Sequence, residues 1–149
     1  MKVAYSSSEL VNFLKTATEI SSEYPVVVSK FVEGAIEAEI DAVADGRRVV
    51  GVPIEHIEEA GVHSGDATMV TPPNRLSPTA VKKMKEAAAK IALELGIKGP
   101  FNIQFLVKNG EVYVIELNLR ASRSMPFVSK SRGINLMELA AQAVLDGVL

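Results

Sequence analysis

Four side chains able to ligate a hard cation, Asn102, Gln104, Glu116 and Asn118, sit at alternate positions of two otherwise apolar runs, "FNIQFLV" and "EVYVIELNL". Alternate positions of a strand share a face. The odd positions are Phe101, Ile103, Phe105 and Val107 on the first run and Tyr113, Ile115, Leu117 and Leu119 on the second. Both odd sets are apolar and are expected to face one core. A two-residue Asn109-Gly110 turn would set Gln104 opposite Ile115 and bury the wrong face. A three-residue connection, Lys108-Asn109-Gly110 with Gly110 left-handed, keeps odd beside odd. It places Glu116 opposite Asn102 and diagonal to Gln104. A carboxylate among amide oxygens, without cysteine or a nearby histidine, is a hard-oxygen set that suits Mg²⁺ or Mn²⁺. Arg120, two positions beyond Asn118, falls on the same face, where a guanidinium can contact phosphate oxygens beside such a cation. The residues alone leave a second reading open, a solvated sheet face with an incidental glutamate.

The elements that must position these groups are legible along the chain. Lys2–Tyr5 reads as a short strand. Ser6 with Glu9 reads as a capping box before a helix whose apolar stripe is Leu10, Phe13, Leu14, Ala17 and Ile20. "YPVVVSKFVEG" is β-branched and reads as a strand, and "IEAEIDAVADGRRVVGVPIEHI" as a hairpin turning at Asp45-Gly46. Glu55 to Asp66 reads as an irregular charged segment. Ser77-Pro78 opens a second helix that buries Val81, Met84, Ala88, Ile91 and Leu95 and stops at Gly96. Asn135 with Glu138 caps a last helix ending at Asp146-Gly147. Hairpins joined by short turns give an α+β class, a largely antiparallel sheet with flanking helices.

The 149 residues suit one domain, and 48% hydrophobic content supports a sizeable core. Lys+Arg (16) nearly balance Asp+Glu (18), so no basic footprint for nucleic acid is present. The absence of cysteine excludes disulfides and thiolate metal sites and fits a cytoplasmic setting. No apolar run reaches the roughly 18 residues of a membrane span, and no signal peptide is read. His56, His63 and Glu58 lack the spacing of a zinc site.

"EHIEEAGVHSGDA", "GPFNIQFLVKNGEVYVIELNLRASRSMPFVSK" and "GINLMELAAQAVLDG" closely resemble the large subunit of carbamoyl-phosphate synthetase, over almost the whole chain. That subunit has two related ATP-grasp halves, and the wording "EHIEEAGVHSGD" and "SRSMPFVSK" is closer to the second, which phosphorylates carbamate. The resemblance implies an ATP-grasp C-terminal lobe with ATP and Mg²⁺ or Mn²⁺ as cofactors. It matches Gln104, Glu116 and Asn118 to residues that ligate the metals bridging ATP phosphates, and Arg120 to an arginine near the transferred phosphoryl group. It matches Lys30 and Val32 to residues bordering adenine, Glu37 to a ribose ligand, and Gly61, Val62, His63 and Ser64 to a nucleotide-contacting loop. Arg123 and Ser124 become holders of the carbamate or phosphate end. Unaided, Lys30 reads as a surface lysine, Glu37 as one half of a surface pair and His63 as a packed loop histidine.

By the same resemblance, residues 1–27 are the tail of a small lobe and residues 28–149 the nucleotide- and metal-binding lobe. An upstream Gly-rich stretch and an ATP-contacting arginine are not in this chain, so a fragment or split product is expected. Its partners are then the remainder of the large subunit and a glutaminase small subunit, with carbamate as substrate and neither nucleic acid nor membrane. Two other readings stay open: a lobe of a different ATP-grasp ligase, and a nucleotide-binding module without turnover.

Overall fold

The computed structural model describes residues 2–20, 25–60 and 67–149. The chain divides into two compact units, Met1–Val32 and Glu33–Leu149. The first holds helix α1, Ser7–Ile20. Ser6 Oγ accepts from the Glu9 N–H at 3.2 Å, satisfying one N-terminal donor of the helix, and Glu9 reaches back past the cap to the Tyr5 N–H at 2.8 Å. The strands expected at Lys2–Tyr5 and within Pro25–Gly34 are not formed. β-branched composition supplies only a propensity. A strand also needs a neighbour to complete its hydrogen bonds, and none pairs with these runs among the described residues.

The second unit is a five-stranded sheet in the order β3-β2-β1-β4-β5, with every pairing antiparallel. Its strands are β1 (Ile36–Asp45), β2 (Val49–Glu59), β3 (Met69–Val70), β4 (Lys98–Lys108) and β5 (Glu111–Asn118). The helices are α2 (Pro78–Glu94), α3 (Met125–Arg132) and α4 (Leu136–Leu145). β2 continues to Glu59, through the start of the segment read as irregular, and α3 occupies a stretch read as loop.

Two cores form, one on each face of the sheet. Ala38, Ile40, Ala42, Phe101, Ile103 and Phe105 pack with Ala80, Met84, Ala88 and Ala92 of α2. Val43, Val52 and Ile54 pack with Met125, Val128, Leu136, Ala140 and Ala143 of α3 and α4. Each large apolar side chain buried this way contributes about 1.5–3 kcal/mol. β1 lies at the centre and is buried almost throughout, so its second face has to hold Glu37, Glu39 and Asp41 away from water. Leu95, expected in the α2 core, is exposed.

Capping follows the sequence closely. Ser77 Oγ accepts from the Ala80 N–H at 3.2 Å with Pro78 at the first helical position, and Asn135 Oδ1 accepts from the Glu138 N–H at 3.2 Å. The connection from β3 to α2 is fastened by Glu55, which is fully buried. Its carboxylate accepts from the N–H groups of Asn74, Arg75 and Leu76 at 3.0, 2.8 and 3.2 Å and from Arg75 Nε at 2.6 Å. Burial opposes its ionisation, but these donors outweigh it and hold its pKa below the usual glutamate value.

Candidate functional site

The β4–β5 hairpin delivers the four polar residues to one face by a different device from the one expected. Lys108 pairs with Glu111, so the connection is the two-residue Asn109-Gly110 turn, with both residues at positive φ (52° and 77°). The three-residue connection is not formed. Asn-Gly favours this tight turn because both central positions are left-handed. The parity is corrected further along. Phe105 pairs with Val114, then Gln104 with Glu116, leaving Ile115 as the extra residue of a β-bulge. Gln104 is therefore directly opposite Glu116, and Asn102 directly opposite Asn118, rather than Asn102 opposite Glu116. The bulge also redistributes the apolar set. Val112 and Leu117 pack on the α2 core, whereas Tyr113, Ile115 and Leu119 are exposed.

A chain of contacts runs along this face. Asn118 Nδ2 donates to Glu116 Oε1 at 2.9 Å, and Arg120 Nη2 donates to Asn118 Oδ1 at 3.3 Å. Arg120 and Arg123 line a pocket of about 220 Å³ with Glu39, Ala67, Met69, Asn102, Gln104, Ser122 and Ser124. Two exposed guanidinium groups at its rim make it suited to an anion.

Asn102 and Ser124 have other duties. Asn102 is buried, and its Nδ2 donates to Asp41 Oδ1 at 2.9 Å. Ser124 is the N-cap residue of α3 but makes no capping bond. Its hydroxyl faces Glu39 Oε1 at 2.9 Å and Asp41 Oδ2 at 2.7 Å.

Sequence reading missed the row of buried carboxylates Glu39 and Asp41 and the role of His56. The cross-strand register sets Glu39 beside Gln104 and Asp41 beside Asn102, so this row forms the floor next to the polar face. The alternation "EAEID" was the available signal, since it puts three acids on one strand face. His56 is buried with Nδ1 3.7 Å from Glu37 Oε1 and Nε2 3.6 Å from Glu39 Oε2. Burial works against the imidazolium, but Glu39 and Glu37 outweigh it and raise the pKa above the ordinary histidine value. His56 thus sits between two carboxylates that favour its protonated form.

The donor set fits a hard divalent ion with few protein ligands: one exposed carboxylate, Glu116, with the amides of Gln104 and Asn118 beside it. Among the described residues no three His, Cys, Asp or Glu side chains gather into a metal-holding group, so a cage built from charged ligands is not present there. Lys30 is exposed and Val32 half-buried, both in the first unit. Gly61, Val62, His63 and Ser64 lie outside the described residues. Glu58 accepts from the Thr68 N–H and hydroxyl, both at 2.7 Å. No described helix is long and apolar enough to cross a membrane.

Residues 1–148 match the family described as "Carbamoyl-phosphate synthase L chain, ATP binding domain". The chain is 63% identical over 149 residues to the carbamoyl phosphate synthase large chain of Pyrococcus furiosus, covering 100% of this chain and 14% of that protein. It is 60% identical over 148 residues to that of Saccharolobus solfataricus, covering 99% of this chain and again 14% of the relative. The chain thus spans about one-seventh of the length of these relatives. Among solved structures, the biotin carboxylase domain of a single-chain bacterial carboxylase superposes with a TM-score of 0.66 at 17% identity, over 95% of this chain and 37% of that one. That likeness supports the α+β ATP-grasp fold alone. With the sheet, the polar face and the near-complete match in hand, the chain belongs to the family of ATP-binding domains of the carbamoyl-phosphate synthase large chain.

Proposed function

We propose that this chain forms the nucleotide- and metal-binding face of a site that phosphorylates carbamate, giving carbamoyl phosphate and ADP. The second ATP-grasp half of the large chain is the reading favoured by "EHIEEAGVHSGD" and "SRSMPFVSK". The observation that carries the proposal is the in-register opposition of Gln104 and Glu116, continued through Asn118 to Arg120 at the anion pocket. Phosphoryl transfer needs little covalent help from protein and depends on positioning and charge neutralisation.

Glu116, Gln104 and Asn118 would hold Mg²⁺ or Mn²⁺, which when bound would neutralise charge on the phosphates of ATP. Arg120 meets the charge on the transferring phosphoryl group, and Arg123 holds the carbamate end. Ser124, turned toward Glu39 and Asp41, builds the floor beneath that end. By the resemblance, Lys30 and Val32 would border the adenine, Glu37 would take the ribose, and Gly61, Val62, His63 and Ser64 would contact the nucleotide. Residues 1–27 belong to the small lobe and 28–149 to the lobe carrying this face. The remainder of the large subunit and a glutaminase subunit are the partners, in the cytoplasm.

The test uses Glu116→Ala within a complete large chain. Formation of ATP from carbamoyl phosphate and ADP is expected to vanish, while bicarbonate-dependent ATP hydrolysis persists. The opposite pattern would assign the chain to the bicarbonate half. Loss of neither would remove the site.

A further inference from the structure

Beneath the pocket, the Ser124 hydroxyl has one hydrogen too few for the two β1 carboxylates it faces if both are ionised. Glu37, Glu39 and Asp41 are 6%, 2% and 0% exposed. Ser124 has one hydroxyl hydrogen, yet its Oγ lies 2.9 Å from Glu39 Oε1 and 2.7 Å from Asp41 Oδ2, with Ser122 Oγ at 2.9 Å. A hydroxyl donates once. One of the two carboxyl oxygens facing it must therefore carry a proton of its own, or two acceptors are left in close opposition.

The surroundings decide which. Glu39 has His56 on its other oxygen, at 3.6 Å, and an imidazole drawn toward its protonated form there favours the carboxylate. Among the described residues Asp41 has no cationic partner. Its side chain meets the Asn102 amide from β4, the Ser122 and Ser124 hydroxyls ahead of α3, and the Glu39 charge from its own strand; Val52 is its neighbour on β2.

We propose that Asp41 is the neutral acid at pH 7, donating to Ser124 Oγ while Ser124 donates to Glu39. This pair of bonds fixes the Leu119–Ser124 segment so that Arg120 and Arg123 face the pocket. Asp41 is thus a positioning residue for anion binding, an inference that rests on the reading of the pocket given above. A shift in the same direction supports the geometry. Burial, opposed by the serine and asparagine bonds and aided by Glu39, raises the Asp41 pKa above the usual aspartate value. Removing one negative charge from the floor also lessens repulsion of an anion above it.

The experiment uses this chain with ¹³C-labelled aspartate carboxyls and inorganic phosphate as the anion probe. In the parent, the Asp41 carboxyl resonance is expected in the protonated position at pH 7 and to be missing from Asp41→Asn. Asparagine keeps a donor toward Ser124, so Asp41→Asn should bind phosphate within about twofold of the parent. Asp41→Ala and Ser124→Ala should weaken phosphate binding roughly ten- to hundredfold through misplaced arginines. Ser124→Ala serves if Asp41→Ala does not fold, and the parent titration needs no variant. An Asp41 resonance that titrates as an ordinary carboxylate would overturn the inference. So would an Asp41→Asn as weak as Ser124→Ala, or a Ser124→Ala that binds phosphate normally. Failure of the carbamoyl phosphate assay with these results intact would instead count against the proposed reaction alone.

Discussion

At the residue scale, charge and exposure separate the candidate ligands. Glu116 is exposed and is the single formal charge among the four convergent side chains, whereas Asn102 is buried against Asp41. A divalent ion gains most from the carboxylate, and the amide oxygens of Gln104 and Asn118 set its geometry. Glu116→Ala is therefore expected to abolish Mg²⁺-dependent ATP binding by this chain, read by calorimetry, while shifting stability by no more than about 0.5 kcal/mol. A melt far below the parent would mark Glu116 as structural. Asn118→Ala should be milder, because the carboxylate remains.

At the element scale, the hairpin depends on a turn and a bulge that act together. Gly110 has φ +77° and a Cβ there would meet nothing within 4 Å, so Gly110→Ala carries only the backbone penalty. The expected loss is about 1 kcal/mol in urea unfolding. The β1–β2 hairpin is held differently. Asp45 accepts from the N–H groups of Arg47 and Arg48 at 2.8 and 2.7 Å and of Leu149 at 3.0 Å, which joins the turn to the chain end. The Arg48 and Arg47 bonds lead the causes that lower its pKa to about 2. A depressed carboxylate contributes stability above its unfolded pKa of 3.8 that is lost as pH falls through the folded value. Acid unfolding of the parent is expected to include a component between about pH 4 and pH 2. Asp45→Asn should remove that component, leaving the pH slope there shallower.

At the scale of the whole molecule, the central strand separates two apolar cores and lays a row of acidic side chains against the second. That row is tolerated because each acid has a partner: His56 for Glu37 and Glu39, hydrogen-bonding side chains for Asp41. Glu58 adds a weaker attraction on His56. The His56 pKa is raised in the folded state, so its contribution is fully present below the unfolded value of 6.5 and disappears as pH rises through the folded one. The stability gap between the parent and His56→Gln should accordingly narrow as pH increases above neutrality, measured by urea titration. A gap constant from pH 6 to pH 9 would show that His56 is neutral in the fold.

The sequence by itself determined what depends on neighbours along the chain. Ser6, Ser77 and Asn135 cap their helices as read, because a cap involves residues three apart. The alternation of Gln104, Glu116 and Asn118 with apolar residues was legible because a strand's period is two, although a bulge brought them together, and long motifs carried the family. Tertiary structure decided the rest. Asn109-Gly110 formed the tight turn that simple parity rejected, and only the pull of the α2 core on Leu117 and of the polar face on Glu116 explains a bulge at Ile115. "VVVSKFVEG" has strand composition but no paired neighbour among the described residues, and pairing is a long-range property. The partners of Glu39 and Asp41 lie as far as 85 residues away in Ser124, a distance over which no local pattern carries information. Burial beside β4 and α3 turns an alternating acidic strand into the floor beneath the pocket.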